Sequence, residues 1–297
     1  MQRLMKHHAV SVAALGRELG RRDDASAADR RAFERQVQSS LAELHRVAPL
    51  RLPDGSEFKF HRTRVMGILN TTPDSFSDGG LYLDPDVAVE RAMDMIRAGA
   101  DVIDVGGEST RPGSESVPAK EQIRRTAPVI EALRRVSNVP ISIDTTNADV
   151  AERALEAGAS MVNDISAFRF DARMVPLLAS TGVPAIAMHT LSRPSDMQDG
   201  PHYDDVVGEV LAHLLERVSV CIKAGVEPQQ IVLDPGIGFG KTVSHNLTLL
   251  RRLDAFKKTG HAILVGTSRK SFLGHLTGKD VLERGSATAS SVAASIV

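Results

Sequence analysis

DVIDVGGESTRPGSESVP, residues 101–118, holds the pattern on which the fold turns: a short apolar-rich run, then glycines, then a polar loop of hydroxyls and one cation. The same succession recurs along the chain. Its runs are VMGIL (65–69), DVIDV (101–105), VPISI (139–143), SMV (160–162), VPAIAM (183–188), IVL (231–233) and AILVG (262–266), separated by stretches long enough for helices. Buried-type strands alternating with helices predict an α/β fold, a parallel sheet covered by helices. Such a sheet either closes into a barrel or stays open and doubly wound. Each run is followed at once by a polar group: Asn70, Gly106 with Glu108 to Arg111, Asp144, Asn163 with Asp164, His189, Asp234, and Ser268 to Ser271. A (β/α)8 TIM-type barrel gathers all these strand ends at one mouth, whereas an open sheet spreads them along a crevice. The barrel is the preferred architecture. After AILVG the chain continues into the helical SATASSVAASIV, so the eighth strand is expected to be missing.

Before the first run, LRLPDGSEFKFH (50–61) alternates apolar and polar positions around Pro53-Asp54-Gly55, a hairpin signal. Residues 1–50 repeat Val10, Val12, Leu15 and Leu19, then Phe33, Val37, Leu41 and Leu44, at helical intervals. They read as an N-terminal helical extension, an amphipathic appendage with thirteen basic against eight acidic residues up to Arg64, and residues 51–297 as the barrel domain.

The 297 residues carry a formal net charge of −1, which gives no electrostatic reason for a nucleic-acid partner, and no Trp with 2 Tyr leaves few stacking platforms. With 42% hydrophobic and 25% charged residues the chain is of ordinary globular composition. No apolar stretch approaches membrane-spanning length and the N-terminus makes a poor signal peptide, so the expectation is a cytoplasmic protein without a membrane partner. A single cysteine, Cys221, excludes an internal disulfide, and no zinc-ligand spacing occurs.

Within GILNTTPDSFSDGG (67–80), Asn70, Asp74 and Asp78 offer hard oxygen ligands suited to Mg2+. In the second loop Arg111 can clamp a phosphate through forked hydrogen bonds and Thr110 adds a neutral donor. Asp144, Asn163 and Asp234 each follow an apolar run. Two carboxylates and an amide in a partly dry mouth match a heterocycle with adjacent ring N–H and amino donors, a pterin- or guanine-like ligand, better than a sugar phosphate. Paired acids for glycoside hydrolysis are the weaker reading, since sequence supplies no carboxyl separation. DPGIGFGKT (234–242) fails as a Walker A loop because Pro235 stands where glycine is required, and fails as GxGxxG because Lys241 takes the last glycine's place. It is read as a glycine-rich loop that lets Phe239 line the mouth. GTSRKSFLG (266–274) sets Ser268 to Ser271 between a strand and a helix, with Lys270 adding a point charge. His189 and His202 receive no catalytic role.

Taken in order, GILNTTPDSFSDGG, DVGGESTRPGS, SIDTT, VNDIS, LDPGIGFGK and SRKSFLG resemble the motifs of the dihydropteroate synthase family, the folate-pathway branch of the pterin-binding barrels, over about residues 61–297. The resemblance implies a transferase that condenses 6-hydroxymethyl-7,8-dihydropterin diphosphate with p-aminobenzoate, releasing diphosphate, with Mg2+ on the diphosphate and a homodimer as the assembly. It implies Asn70 beside the metal, and Asp144, Asn163, Met188, Asp234 and Lys270 around the pterin. Thr110 and Arg111 fall near the diphosphate and p-aminobenzoate, and Phe76, Asp78, Phe239 and Ser271 complete the p-aminobenzoate side or steady a pterin cation. Asp78, Arg111 and Lys270 are the candidate catalytic groups. The family's Arg-x-His pair on an eighth strand has no counterpart here, and HTLSRPSDMQDGP (189–201) departs from the family pattern. A methyltetrahydrofolate-dependent methyltransferase of the same barrel type, or a non-catalytic pterin-binding protein, are the alternatives.

Overall fold

A computed structural model describes residues 47–72, 84–110, 113–114, 116–198 and 200–296. The helical reading of residues 1–50 lies outside these, apart from its last four residues, which are not helical and lead into the first strand. The hairpin read at 50–61 is present. Strand β1 (Leu50–Arg51) pairs antiparallel with β2 (Glu57–Phe58), Leu50 opposite Phe58. Asp54 Oδ1 closes the turn by accepting from the Ser56 N–H at 2.9 Å and the Ser56 hydroxyl at 2.7 Å.

The seven runs form one parallel sheet in sequence order: β3 (Met66–Asn70), β4 (Val102–Gly106), β5 (Ile141–Asp144), β6 (Met161–Asp164), β7 (Ala185–Met188), β8 (Ile231–Asp234) and β9 (Ala262–Ile263). This is the curled sheet of a barrel. Among the described residues β3 and β9 remain its two edges. Between strands run α1 (Pro85–Arg97), α2 (Ala119–Val136), α3 (Ala148–Glu156), α4 (Met174–Thr181), α5 (Val206–Lys223) and the pair α6 (Val243–Arg251) and α7 (Leu253–Lys257), followed by α8 (Ser271–Thr277) and α9 (Gly285–Ile296). Polar caps start several of them. Asn147 accepts from the Asp149 and Val150 N–H groups ahead of α3, and Thr242 and His245 form a reciprocal box ahead of α6. None of the described helices is long and apolar enough to cross a membrane.

Side chains alternate along each strand with a period of two. One set, including Ile103, Val105, Ile143, Val162, Ala187 and Leu233, packs outward under the helices in the main core. The other set points inward. Its lower members Val102, Met161, Ile186, Val232 and Ala262 join Leu50 in a second apolar cluster, on which the hairpin's Phe58 also packs. The hairpin thus covers the floor of the barrel. Two residues further along the same inward faces the chemistry changes: Val102 gives way to Asp104 and Gly106, Met161 to Asn163, Ile186 to Met188, and Val232 to Asp234. On this face β4, β6 and β8 thus run from an apolar residue to a polar one.

Candidate active site

The ladder register places four of these strand ends side by side. Asn70 is opposite Gly106, Gly106 opposite Asp144, and Asp144 opposite Asn163. Neighbouring parallel strands in register point such residues to the same side, so the four form one row across the inner wall. Gly106 is the gap in that row: a Cβ there would lie 3.6 Å from both Asn70 Oδ1 and Asp144 Oδ2. Met188 and Asp234 pair with each other one pleat nearer the mouth, 3% and 6% exposed.

The carboxylates are held in a setting that resists their charge. Burial, then the like charges of Asp104, Asp164 and Glu108, push the Asp144 carboxyl well above the usual range. Beneath the row, buried Asp104 accepts a hydrogen bond from Asn163 Nδ2 at 3.0 Å. Asp164, whose outward-packed ladder partner is Ala187, takes the N–H and hydroxyl of Ser166 at 2.7 and 2.6 Å, and burial still lifts it to about 6. It turns a tight corner rather than facing the interior.

Asp234 accepts the Gly236 N–H at 2.7 Å. Burial raises its pKa, opposed by Lys270, that N–H and Lys241. The loop that follows needs glycine at 236, where φ is +68° and a Cβ would stand 2.0 Å from the His189 carbonyl oxygen. Lys270, just ahead of α8, donates to the Ile237 carbonyl and sits 4.6 Å above the Phe239 ring, a cation–π contact. Burial lowers this ammonium to about 8, against the pull of Asp234. Phe239, Lys270 and Asp234 thus share one wall.

Two further groups in this region escape the sequence reading. Asp104 stands inside a run taken only as a strand. Lys241, 4% exposed, donates to the Phe239 carbonyl at 2.8 Å and lies 3.1 Å from His189 Nδ1; burial brings it to about 7. The one signal for Lys241 is its place in LDPGIGFGK, a string whose composition reads as a glycine-rich loop. His189 itself is buried and, chiefly through desolvation, held near 2, hence neutral. His202 is exposed at 3.3 Å from Asp204.

Ser271 opens α8 as an exposed residue, and Thr110 is half-buried in the loop after β4. The base of that loop is tied by Glu108, which accepts the Val117 N–H and Gln122 Nε2, both at 2.9 Å. Phe76, Asp78 and Arg111 lie outside the described residues. Among the described residues no group of three or more His, Cys, Asp or Glu side chains can hold a metal ion. The assembled wall is rich in acceptors and carries the Lys270 ammonium beside Asp234, a set suited to a flat heterocycle with several N–H donors and to a positive charge developing on it.

Comparison with known proteins gives the following. The pterin binding enzyme family matches residues 66–297. The dihydropteroate synthase of Synechocystis is 51% identical over 215 residues, covering 72% of this chain and 74% of that one. Among solved structures, a Xanthomonas albilineans dihydropteroate synthase with 4-aminobenzoic acid superposes with a TM-score of 0.78 at 39% identity, covering 84% of this chain and 88% of that chain. The same organism's enzyme in complex with 7,8-dihydropteroate gives 0.75 at 36% identity, covering 84% and 89%.

Proposed function

The chain belongs to the pterin-binding enzyme family, and from that premise we infer that it is a transferase performing the dihydropteroate synthase reaction. In that reaction the p-aminobenzoate nitrogen bonds to the exocyclic methylene carbon of 6-hydroxymethyl-7,8-dihydropterin diphosphate, the bond from that carbon to the diphosphate oxygen breaks, and the amine sheds a proton. The observation that carries the reading is the single row of Asn70, Gly106, Asp144 and Asn163, with Asp234 and Lys270 on the adjoining wall.

The residue roles are part of the proposal. Asp144, Asn163 and Asp234 hold the donor edge of the pterin, and Met188 supports its face. Asp144 and Asp234 pay for their desolvation when a ring carrying N–H donors arrives, and their fixed negative charge favours the cation that forms as diphosphate departs. Lys270 supports an electron-rich ring atom and keeps the Phe239 side chain in place. Thr110, Arg111, Phe76, Asp78 and Ser271 are assigned to the p-aminobenzoate and diphosphate end. An unprotonated aromatic amine is already nucleophilic, so attack needs no general base, and buried His189, held near 2, is a weak one.

Mg2+ belongs to the same proposal. The exposed amide of Asn70 at the end of β3 fits one ligand of an ion that arrives largely ligated by diphosphate and water, as Mg2+ prefers. When bound it would withdraw charge from the leaving group. The family resemblance also carries the homodimer into this reading.

Calorimetric titration with the pterin substrate, together with steady-state kinetics, tests the assignment. Asp234→Asn is expected to weaken pterin binding by about tenfold or more, the scale of a hydrogen bond to a charged group. Ser271→Ala should raise the KM for p-aminobenzoate and leave pterin affinity alone. Equal losses for both ligands in both variants would sink the residue assignment.

A further inference from the structure

We propose that Asp104, a residue outside the ligand-facing row, is a positioning residue that sets which heterocycle the site accepts, by locking the Asn163 side-chain amide with its oxygen toward the ligand. The inference rests on the reaction assigned above, since it concerns the amino edge of a pterin.

An asparagine amide presents a carbonyl oxygen on one side and an NH2 on the other, and half a turn exchanges an acceptor for a donor. Alone at the end of β6, Asn163 offers either. Asp104 removes the choice. It stands on the inward face of β4, two residues below Gly106, opposite Ser142 in the ladder and 4% exposed. From that lower level its Oδ2 takes the Asn163 Nδ2 hydrogen at 3.0 Å. Reversing the amide would set two oxygens against each other in a buried place, at the cost of an unsatisfied acceptor pair. Asn163 Oδ1 makes no hydrogen bond among the described residues and is left for the interior. An ionised Asp104 has no hydrogen to give, so it is the charged carboxylate that holds the amide this way round; a protonated carboxyl can donate to Asn163 Oδ1 and releases it. The wall then presents acceptors from three strand ends: Asp144, Asn163 Oδ1 and Asp234. A ring with an exocyclic amino group and adjacent N–H satisfies them. A ring with an oxo group at the same edge sets oxygen against oxygen.

The test compares affinities of the full chain for 6-hydroxymethylpterin and for its lumazine counterpart, in which an oxo group replaces the 2-amino group. Wild type is expected to prefer the pterin on the order of a hundredfold, since a site built to bond an N–H rejects an analogue lacking it. Asp104→Ala frees the amide and should narrow that preference about tenfold or more, partly by improved lumazine binding. Asp104→Asn, whose amide can donate as well as accept, should narrow it in the same direction. In an Asn163→Ala background, adding Asp104→Ala should change the ratio little, because the two residues act through one contact. Thermal unfolding checks that each variant is folded, and Asp104→Thr replaces Asp104→Ala if the latter is not. An unchanged preference in folded Asp104→Ala, or an equal effect in the Asn163→Ala background, overturns the proposal. Wild type that binds neither ring overturns the reaction assignment, and this inference with it, an outcome readily told apart from the first two.

Discussion

Lys241 lies buried beside the candidate site, 4% exposed. Its ammonium is enclosed by the Phe239 and His189 carbonyls and by a neutral imidazole, with Asp234 as the one opposing charge and Lys270 as a like charge nearby. The folded chain therefore holds this lysine's proton only below about pH 7, whereas an unfolded chain keeps it up to about 10.5. Between those values the unfolded state binds more protons, so the destabilisation present at low pH is relieved and stability rises with pH. Lys270, lowered to about 8, adds a slope of the same sign. Urea unfolding at about pH 7.5 and about pH 9.5 should give a wild-type gain exceeding that of Lys241→Met by up to ~1.4 kcal/mol per pH unit. Matching slopes would show that the ammonium is not buried as described. At this scale the sequence was legible where residue type announces chemistry: Asp144 and Asn163 fall in one row, and Asp234 lies near Lys270. It was silent on Asp104 and Lys241, because an acid within an apolar run and a lysine after glycines acquire their meaning only from what the fold sets against them.

Among the elements, the floor hairpin depends on a single buried amide. Gln230, 2% exposed just before β8, donates from Nε2 to the Arg51 carbonyl at 2.8 Å and the Gly182 carbonyl at 2.9 Å, while its Oε1 accepts the Arg51 N–H at 2.9 Å. Replacing it by leucine strips partners from three backbone groups around the barrel floor. We expect Gln230→Leu to cost about 2–4 kcal/mol, at about 1–3 kcal/mol for each buried group left unsatisfied less what water recovers. Denaturant titration measures this, and a loss under about 0.5 kcal/mol would mean that the hairpin holds on by its apolar contacts alone. The strands themselves were plain in the sequence, since six of the seven runs became strands within a residue or two at each end. The last was shorter than its run: AILVG contributes only Ala262–Ile263 to the ladder. Val265 instead packs against the core from outside any strand, a tertiary outcome that periodicity does not encode.

For the molecule as a whole, β4 to β8 have neighbours on both sides, and β3 and β9 have one each among the described residues. Amide hydrogen exchange should consequently be slowest in Ile103, Ile143, Val162 and Ile186, and faster by at least about tenfold in β3, where Ile68 is 51% exposed. Uniform protection across the seven strands would show that both edges are covered in solution. The barrel architecture was readable because chemistry collected after every apolar run, a regularity with no reason to exist unless those ends meet. What remained hidden was the vertical order of the interior, grease below and charge above, since that depends on register. The side-chain period of two gives this layering a final consequence. Slipping one of these strands by one position would thrust Asp144, Asn163 or Asp234 under the helices and turn Ile143, Val162 or Leu233 inward. These inward polar groups therefore also proofread assembly, and a mispaired barrel penalises itself before any ligand arrives.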